Sequence, residues 1–365
     1  MSRKRICFIA QFPPPMHGLS KAVETLYNSL IANEFDFEKI DITKNKNLVK
    51  NLGLISKSKA DLFYFTISQT KGGNIRDLII LKLLRIQHKK CIIHLHGGYY
   101  RELIDHNLAA WQKRANYKAI YNLDGAIVLG KSLVHIFEGM IPKEKIFIVP
   151  NCVDDEYLMS DAEFEEKINT LENRTIKNVL YLSNFVRTKG FPEVLEMAKM
   201  EKERCTKDGE RKLHFDFAGK FFEKTEEDFF FGYIKDNSLE NYVTYHGVVD
   251  GNKKRELLKK CDIFTLLTRY PNEGQPISIL EAMGNGMMIV TTDHAGIPDI
   301  VKDNVNGVVV NKNKINIKQC YQNIMNKLSS VAVIKEIIKS NRESVKINYN
   351  QRLYVRNAGS IMKYI

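Results

Sequence analysis

Short continuous apolar runs separated by helix-patterned stretches fill this sequence almost from end to end, and that alternation admits few folds. ICFIA (6–10), DLFYFTI (61–67), CIIHLHG (91–97), GAIVLG (125–130) and IFIVPN (146–151) are continuous rather than alternating, as strands buried on both faces are. Helical stretches such as KAVETLYNSLIANEF (21–35) and NIRDLIILKLLRIQHKK (74–90) lie between them. The same grammar restarts with NVLYLSN (178–184), LHFDFAG (213–219), VTYHGV (243–248), IFTLLT (263–268), MMIVTT (287–292) and NGVVV (306–310). Strands alternating with helices mean parallel sheets with crossover helices. The expected architecture is therefore α/β: two Rossmann-like, doubly wound parallel-sheet domains facing a cleft, with ligands at the carboxyl ends of the strands.

Residues 152–175 are acidic, polar and without a strand, and are read as the connection between domains covering 1–160 and 175–345. The last stretch, 346–365, reads as a helix that packs back across the hinge. At 365 residues and 44% hydrophobic, the chain can fill two cores. Its net charge of +12 favours an acidic partner such as a nucleotide or an anionic membrane; lysine-rich solvated helix faces are the bland alternative. The six cysteines lie far apart with no C-x-x-C pair, which points to free thiols in a reducing cytoplasm. The first apolar run ends at Gln11 and Pro13, too short for a signal segment, and no run reaches membrane-spanning length.

The candidate site residues follow strands. After the first comes QFPPPMHGLSKAVETL, in which Gly18, beside His17, lets backbone approach a ligand, and a helix starting near Ser20 offers N–H groups to an anion. A proline-rich turn with a plain cap looks the same. His94 and His96 end CIIHLHG. No carboxylate or third histidine lies near them, so a metal site is set aside, with His94 read as a core residue and His96 as a hydroxyl-binding one. In LSNFVRTKGFPEVLEMA, Arg187 and Lys189 precede a helix and suit a diphosphate.

NEGQPISILEAMGNG (272–286) carries the most specific signal. Pro276 suits the first turn of a helix, whose opening amides, at Ile277 and Ser278, make an anion seat. Glu273, with Gly274 and Gln275, lies in the loop before it, placed for sugar hydroxyls. Glu281 falls inside an apolar helix, where a carboxylate is costly unless it accepts hydrogen bonds such as those of a ribose.

In these residues the chain resembles the retaining glycosyltransferases of family 4, which have the GT-B fold. The E-x7-E motif reads Glu273-Gly-Gln-Pro-Ile-Ser-Ile-Leu-Glu281, followed by Ala282-Met283; Asn151-Cys-Val-Asp154, Lys189-Gly190, Gly18 and His96 match other family positions. Departures are Asn184 where the family has arginine, Leu19 for a second glycine, Gly286-Met287-Met288 for Gly-x-Pro, and Asp299 for a later glutamate. Arg187 is taken to replace the missing arginine. The resemblance implies a hexose or N-acetylhexosamine moved from a UDP-sugar to a glycan or lipid-linked acceptor, with the acceptor on the first domain and the nucleotide on the second. It implies retention through the leaving phosphate, and the lack of a D-x-D motif points to no metal or other cofactor. It places the enzyme in the cytoplasm, in bacterial surface polysaccharide or glycoconjugate assembly. LKLLRIQHKK and AWQKRANYKAIY mix apolar and cationic residues and suit peripheral contact with an anionic inner-membrane face, although sheet-covering helices look similar. A sugar-nucleotide epimerase on the same scaffold and a non-catalytic binder are the alternatives. No nucleic-acid module is found.

Overall fold

The structure, a computed structural model, describes residues 3–14 and 18–365. It divides into two compact units, one formed by Met1–Cys152, Pro271–Gln275 and Gln351–Ile365, the other by Val153–Tyr270 and Pro276–Asn350.

In the first unit, β1 (Lys4–Ala10), β2 (Phe35–Asp41), β3 (Leu62–Thr66), β4 (Cys91–His94), β5 (Gly125–Val128) and β6 (Ile146–Ile148) form one sheet in the order β2-β1-β3-β4-β5-β6. Every pairing is parallel. α1 (Gly18–Tyr27), α2 (Leu48–Lys57), α3 (Lys71–Ile86), α4 (Tyr100–His106) and α5 (Ala110–Tyr121) connect the strands. β3, β4 and β5 are buried throughout, as their unbroken apolar runs require. β2 departs from the sequence reading, which carries a helix through Phe35. Its Phe35 and Phe37 alternate with Asp36, Glu38 and Lys39 because it is an edge strand, and alternation is not a continuous run.

The C-terminal helix, Gln351–Tyr364, belongs to this unit. Its Tyr354, Ala358, Ile361 and Met362 share one core with Ile6, Phe8 and Tyr64. Gly359 lets Ile31 pack closely there, since an added Cβ would lie 1.8 Å from Ile31 Cδ1 and push that side chain aside. Tyr354 Oη donates to the Ala22 carbonyl at 3.2 Å, and Lys4 Nζ to that of Met362 at 2.9 Å.

The second unit holds β7 (Lys177–Leu182), β8 (Leu213–Ala218), β9 (Val243–Tyr245), β10 (Ile263–Leu266), β11 (Met288–Thr292) and β12 (Gly307–Val310), ordered β12-β11-β10-β7-β8-β9 and again all parallel. Its helices are α6 (Asp161–Thr170), α7 (Phe191–Asp208), α8 (Lys224–Asp236), α9 (Gly251–Lys260), α10 (Ile277–Gly284), α11 (Ile317–Leu328) and α12 (Val331–Asn348). The chain leaves β7 toward β8 and β9, then returns to its other side with β10. The strand order therefore reverses between β7 and β10, where doubly wound sheets bind ligands.

Residues 152–175, read from composition as connecting chain, contain α6. Ser160 and Glu163 close a reciprocal cap at its start, and Phe164 and Ile168 enter the second unit's core. Lys167 is buried on the same helix, donating to the carbonyls of Cys261 at 2.6 Å and Asn285 at 2.8 Å. α12 is fastened by buried Arg342, which donates to the Gly284 and Met159 carbonyls at 2.8 and 2.9 Å.

Two outcomes follow. Met362→Ala is expected to cost about 2–5 kcal/mol, as truncation of a fully buried core side chain does; urea unfolding showing under about 1 kcal/mol would mean the C-terminal helix is a loose appendage. Burial pushes the Lys167 ammonium down from its ordinary 10.5 to about 8. A lysine depressed on folding favours the native state above the unfolded value and withdraws that support as pH falls toward the native one. Wild type should therefore gain stability relative to Lys167→Met between pH 8 and 10.5; parallel urea-stability curves across that window would contradict it.

Candidate functional site

In the second unit the exit loops of β7 and β10 meet at the reversal of strand order. After β7, Arg187–Lys189 make a short 3-10 turn, and Gly190 follows with φ of 89°. Glycine is needed there twice: the backbone is left-handed, and a Cβ would stand 2.6 Å from the Leu267 carbonyl oxygen at the end of β10. The Arg269 N–H donates to the Thr188 carbonyl at 2.5 Å and locks the two loops together. Lys189 Nζ consequently lies 4.7 Å from the centre of the Tyr270 ring, a cation–π contact that fixes its position. Arg187 turns away along α8, pairing with Glu226 at 3.0 Å and stacking over Phe229 at 4.2 Å. Asn184 is exposed just after β7, and its carbonyl accepts from Tyr181 Oη at 2.9 Å.

Pro276 is the residue before α10, one position earlier than the sequence reading placed it. Having no polar side chain, it gives the first amides of the helix no cap, while Ile277 and Ser278 there are half-buried. Further along, Glu281 is only 4% exposed. Lys254 on α9 supplies the opposite charge, its Nζ 2.6 Å from Glu281 Oε1. That ammonium also lies 4.0 Å from the Tyr157 ring centre, and Tyr157 Oη donates to Asp250 at 2.7 Å. The carboxylate is thus held in a buried polar chain that Lys254 anchors.

In the first unit the exit loops of β3 and β4 and the segment Pro271–Gln275 come together. His94 is fully buried at the end of β4, with Nδ1 2.5 Å from Tyr64 Oη. Burial, and then the neighbouring His96, hold its pKa well below the usual histidine range, so it is neutral. His96 is half-buried, its ring 4.0 Å from that of His94. Gln69, after β3, accepts from the Tyr99 N–H at 2.6 Å. Gly274 lies directly on this turn: a Cβ would be 2.5 Å from the His96 carbonyl oxygen and 3.0 Å from Gly97 Cα. Glu273, 7% exposed, immediately precedes this close approach.

Gln275 directs its amide into the protein. Its Oε1 accepts the Asn151 N–H at 2.8 Å, its Nε2 donates to the Leu129 carbonyl at 3.2 Å, and Asn151 Nδ2 returns a bond to the Gln275 carbonyl at 2.9 Å. Gly18 opens α1 and is exposed; Ser20 is inside the helix and buried. His17 lies outside the described residues. Among the described residues no group of three or more His, Cys, Asp or Glu could hold a metal ion.

Three residues that sequence reasoning missed, Arg269, Tyr270 and Lys254, shape these neighbourhoods. Arg269 and Tyr270 directly follow IFTLLT and carried a usable signal, their place at a strand end. Asn151 was noted only for its motif, and Lys254, 27 residues from Glu281, had no local signal. Gly274→Ala is expected to cost about 1–3 kcal/mol, because the added methyl meets backbone. Gly53→Ala, where a Cβ meets nothing within 4 Å, should leave stability equal or higher. Equal effects in denaturant unfolding would refute the close approach.

The chain is 29% identical to the amylovoran biosynthesis glycosyltransferase AmsK of Erwinia amylovora over 135 residues, 36% of this chain and 32% of that one. It is 27% identical over 138 residues to a putative colanic acid biosynthesis glycosyltransferase, WcaL, of Salmonella typhimurium, covering 36% and 33% of the two chains. The matched stretch thus spans about a third of these relatives' length. Among solved structures, Anabaena HepE in complex with UDP superposes with a TM-score of 0.75 at 14% identity, covering 99% of this chain and all of that one. Sucrose-phosphate synthase from Thermosynechococcus elongatus gives 0.76 at 14% identity, with 99% of each chain covered. These likenesses show the GT-B fold. The family model for glycosyl transferases group 1 matches residues 162–344, half of the 365-residue chain, and the protein belongs to that family.

Proposed function

We propose that the protein is a retaining hexosyltransferase, working without a metal ion, that moves a hexose or N-acetylhexosamine from a UDP-sugar to a glycan or lipid-linked acceptor in polysaccharide assembly. The observation that carries this reading is Lys189, held by the Tyr270 ring where the strand order reverses beside β7 and β10. An ammonium fixed there is placed to stabilise the charge of a departing diphosphate. The uncapped start of α10 adds backbone donors for the same phosphates, and Glu281 accepts the ribose hydroxyls in exchange for part of its contact with Lys254. Arg187 contributes by releasing Glu226. In the first unit, Glu273 and His96 bind and orient sugar hydroxyls, so neither is a covalent nucleophile in this reading. The acceptor takes the sugar's anomeric bond on the face the diphosphate leaves, and the leaving phosphate receives the acceptor proton. The names of AmsK and WcaL support polysaccharide assembly, and the UDP complex of HepE supports uridine.

A donor panel in EDTA tests the reading: UDP-glucose, UDP-galactose, UDP-N-acetylglucosamine, UDP-N-acetylgalactosamine and GDP-mannose, with free nucleotide as the readout. One UDP-sugar is expected to turn over. Lys189→Ala should lower kcat/KM by about 10²–10³-fold, the scale for losing one group that stabilises developing charge, and Glu281→Ala should weaken donor binding. Turnover only after metal is restored would remove the metal-independent mechanism. Release from GDP-mannose alone would overturn the uridine assignment, and an inverted anomeric signal by NMR would overturn retention.

A further inference from the structure

A groove of about 660 Å³ runs between α3 and α5 on the first unit, and none of the residues discussed above for donor or sugar lines it. Ile75 and Ile79 stand exposed on its α3 rim and Trp111 on its α5 rim, at 47%, 40% and 59%. Ile86 continues the α3 stripe, since positions 75, 79, 82 and 86 fall on one helical face. Side chains of this kind are normally turned inward, and clustered on one face they mark a contact surface.

The cations are mixed into the same surface. Lys82, Arg85 and Lys118 are exposed and line the groove, while Lys89 and Lys90 line it with their ammoniums on the Ser58 and Ile365 carbonyls at 3.1 and 2.5 Å. Asp124 is the one acid among the lining residues, and its Oδ2 is turned inward to the Cys91 N–H at 2.8 Å. The charge complement of this face is therefore an anion, and its apolar rim asks for hydrocarbon next to that anion. We infer that the α3–α5 face docks on an anionic phospholipid bilayer. Ile75, Ile79 and Trp111 enter the interfacial layer, and Lys82, Arg85 and Lys118 meet the headgroup phosphates. The inference is independent of the donor assignment.

Trp111 is the chain's single tryptophan, so the intact protein carries its own reporter. Vesicles of equal parts phosphatidylglycerol and phosphatidylcholine are expected to shift its emission to shorter wavelength, and phosphatidylcholine alone to leave it unchanged. The shift should reverse in about 0.5 M salt. The doubly reversed variant Lys82→Glu/Arg85→Glu, altered only at exposed positions, should bind at least about tenfold more weakly while keeping the wild-type melting temperature. No shift with anionic vesicles overturns the proposal, as does wild-type binding by the variant. Cosedimentation with unchanged Trp111 emission would place the contact elsewhere and also overturn it. A blue shift that rises with protein concentration in vesicle-free buffer would assign the face to a second copy of the chain instead.

Discussion

Parallel pairing throughout each sheet is the constraint on which the rest depends. It sends every carboxyl end in a sheet to the same edge, so the loops that leave those ends must share a small space. Backbone then meets backbone, and only glycine permits the approach. Gly190 against Leu267 does this in the second unit. Lys189 sits next to that glycine, so the contact that closes the two loops also sets this candidate side chain.

Glu281 shows what happens when such a side chain is drawn inside. A buried carboxylate without a partner would cost several kcal/mol, and α10 itself offers only Ile279, Leu280, Ala282 and Met283 around it. The fold answers with Lys254 from the preceding helix, itself steadied by the Tyr157 ring. Lys254 keeps more exposure than Glu281, so the pair is closed by protein mainly on the carboxylate side.

Much of this was legible in the sequence because parallel strands advertise themselves. Of the strands among the described residues, all but β2 coincide with the apolar runs read as strands; β2 does not, since an edge strand keeps one side polar. Glu273, Glu281 and Lys189 could be nominated as candidates because each lies near a strand end or helix start with its own chain signal. Lys254, and the turn of Arg187 toward Glu226 and Phe229, could not, because both depend on helices brought near by folding. Likewise α6 hid in an acidic stretch whose inward face has only two apolar residues, Phe164 and Ile168, beside Lys167.

The C-terminal helix has a consequence for how the molecule is made. The first unit begins the chain, yet Tyr354, Ala358 and Met362 in its core emerge from the ribosome only after all of the second unit has been synthesised. During translation the leading sheet must wait with Ile6, Phe8 and Tyr64 incompletely covered, while the later-born unit can already close around β7–β12. A segment made after the second unit thus completes the core of the first, and folding order runs against the order of synthesis.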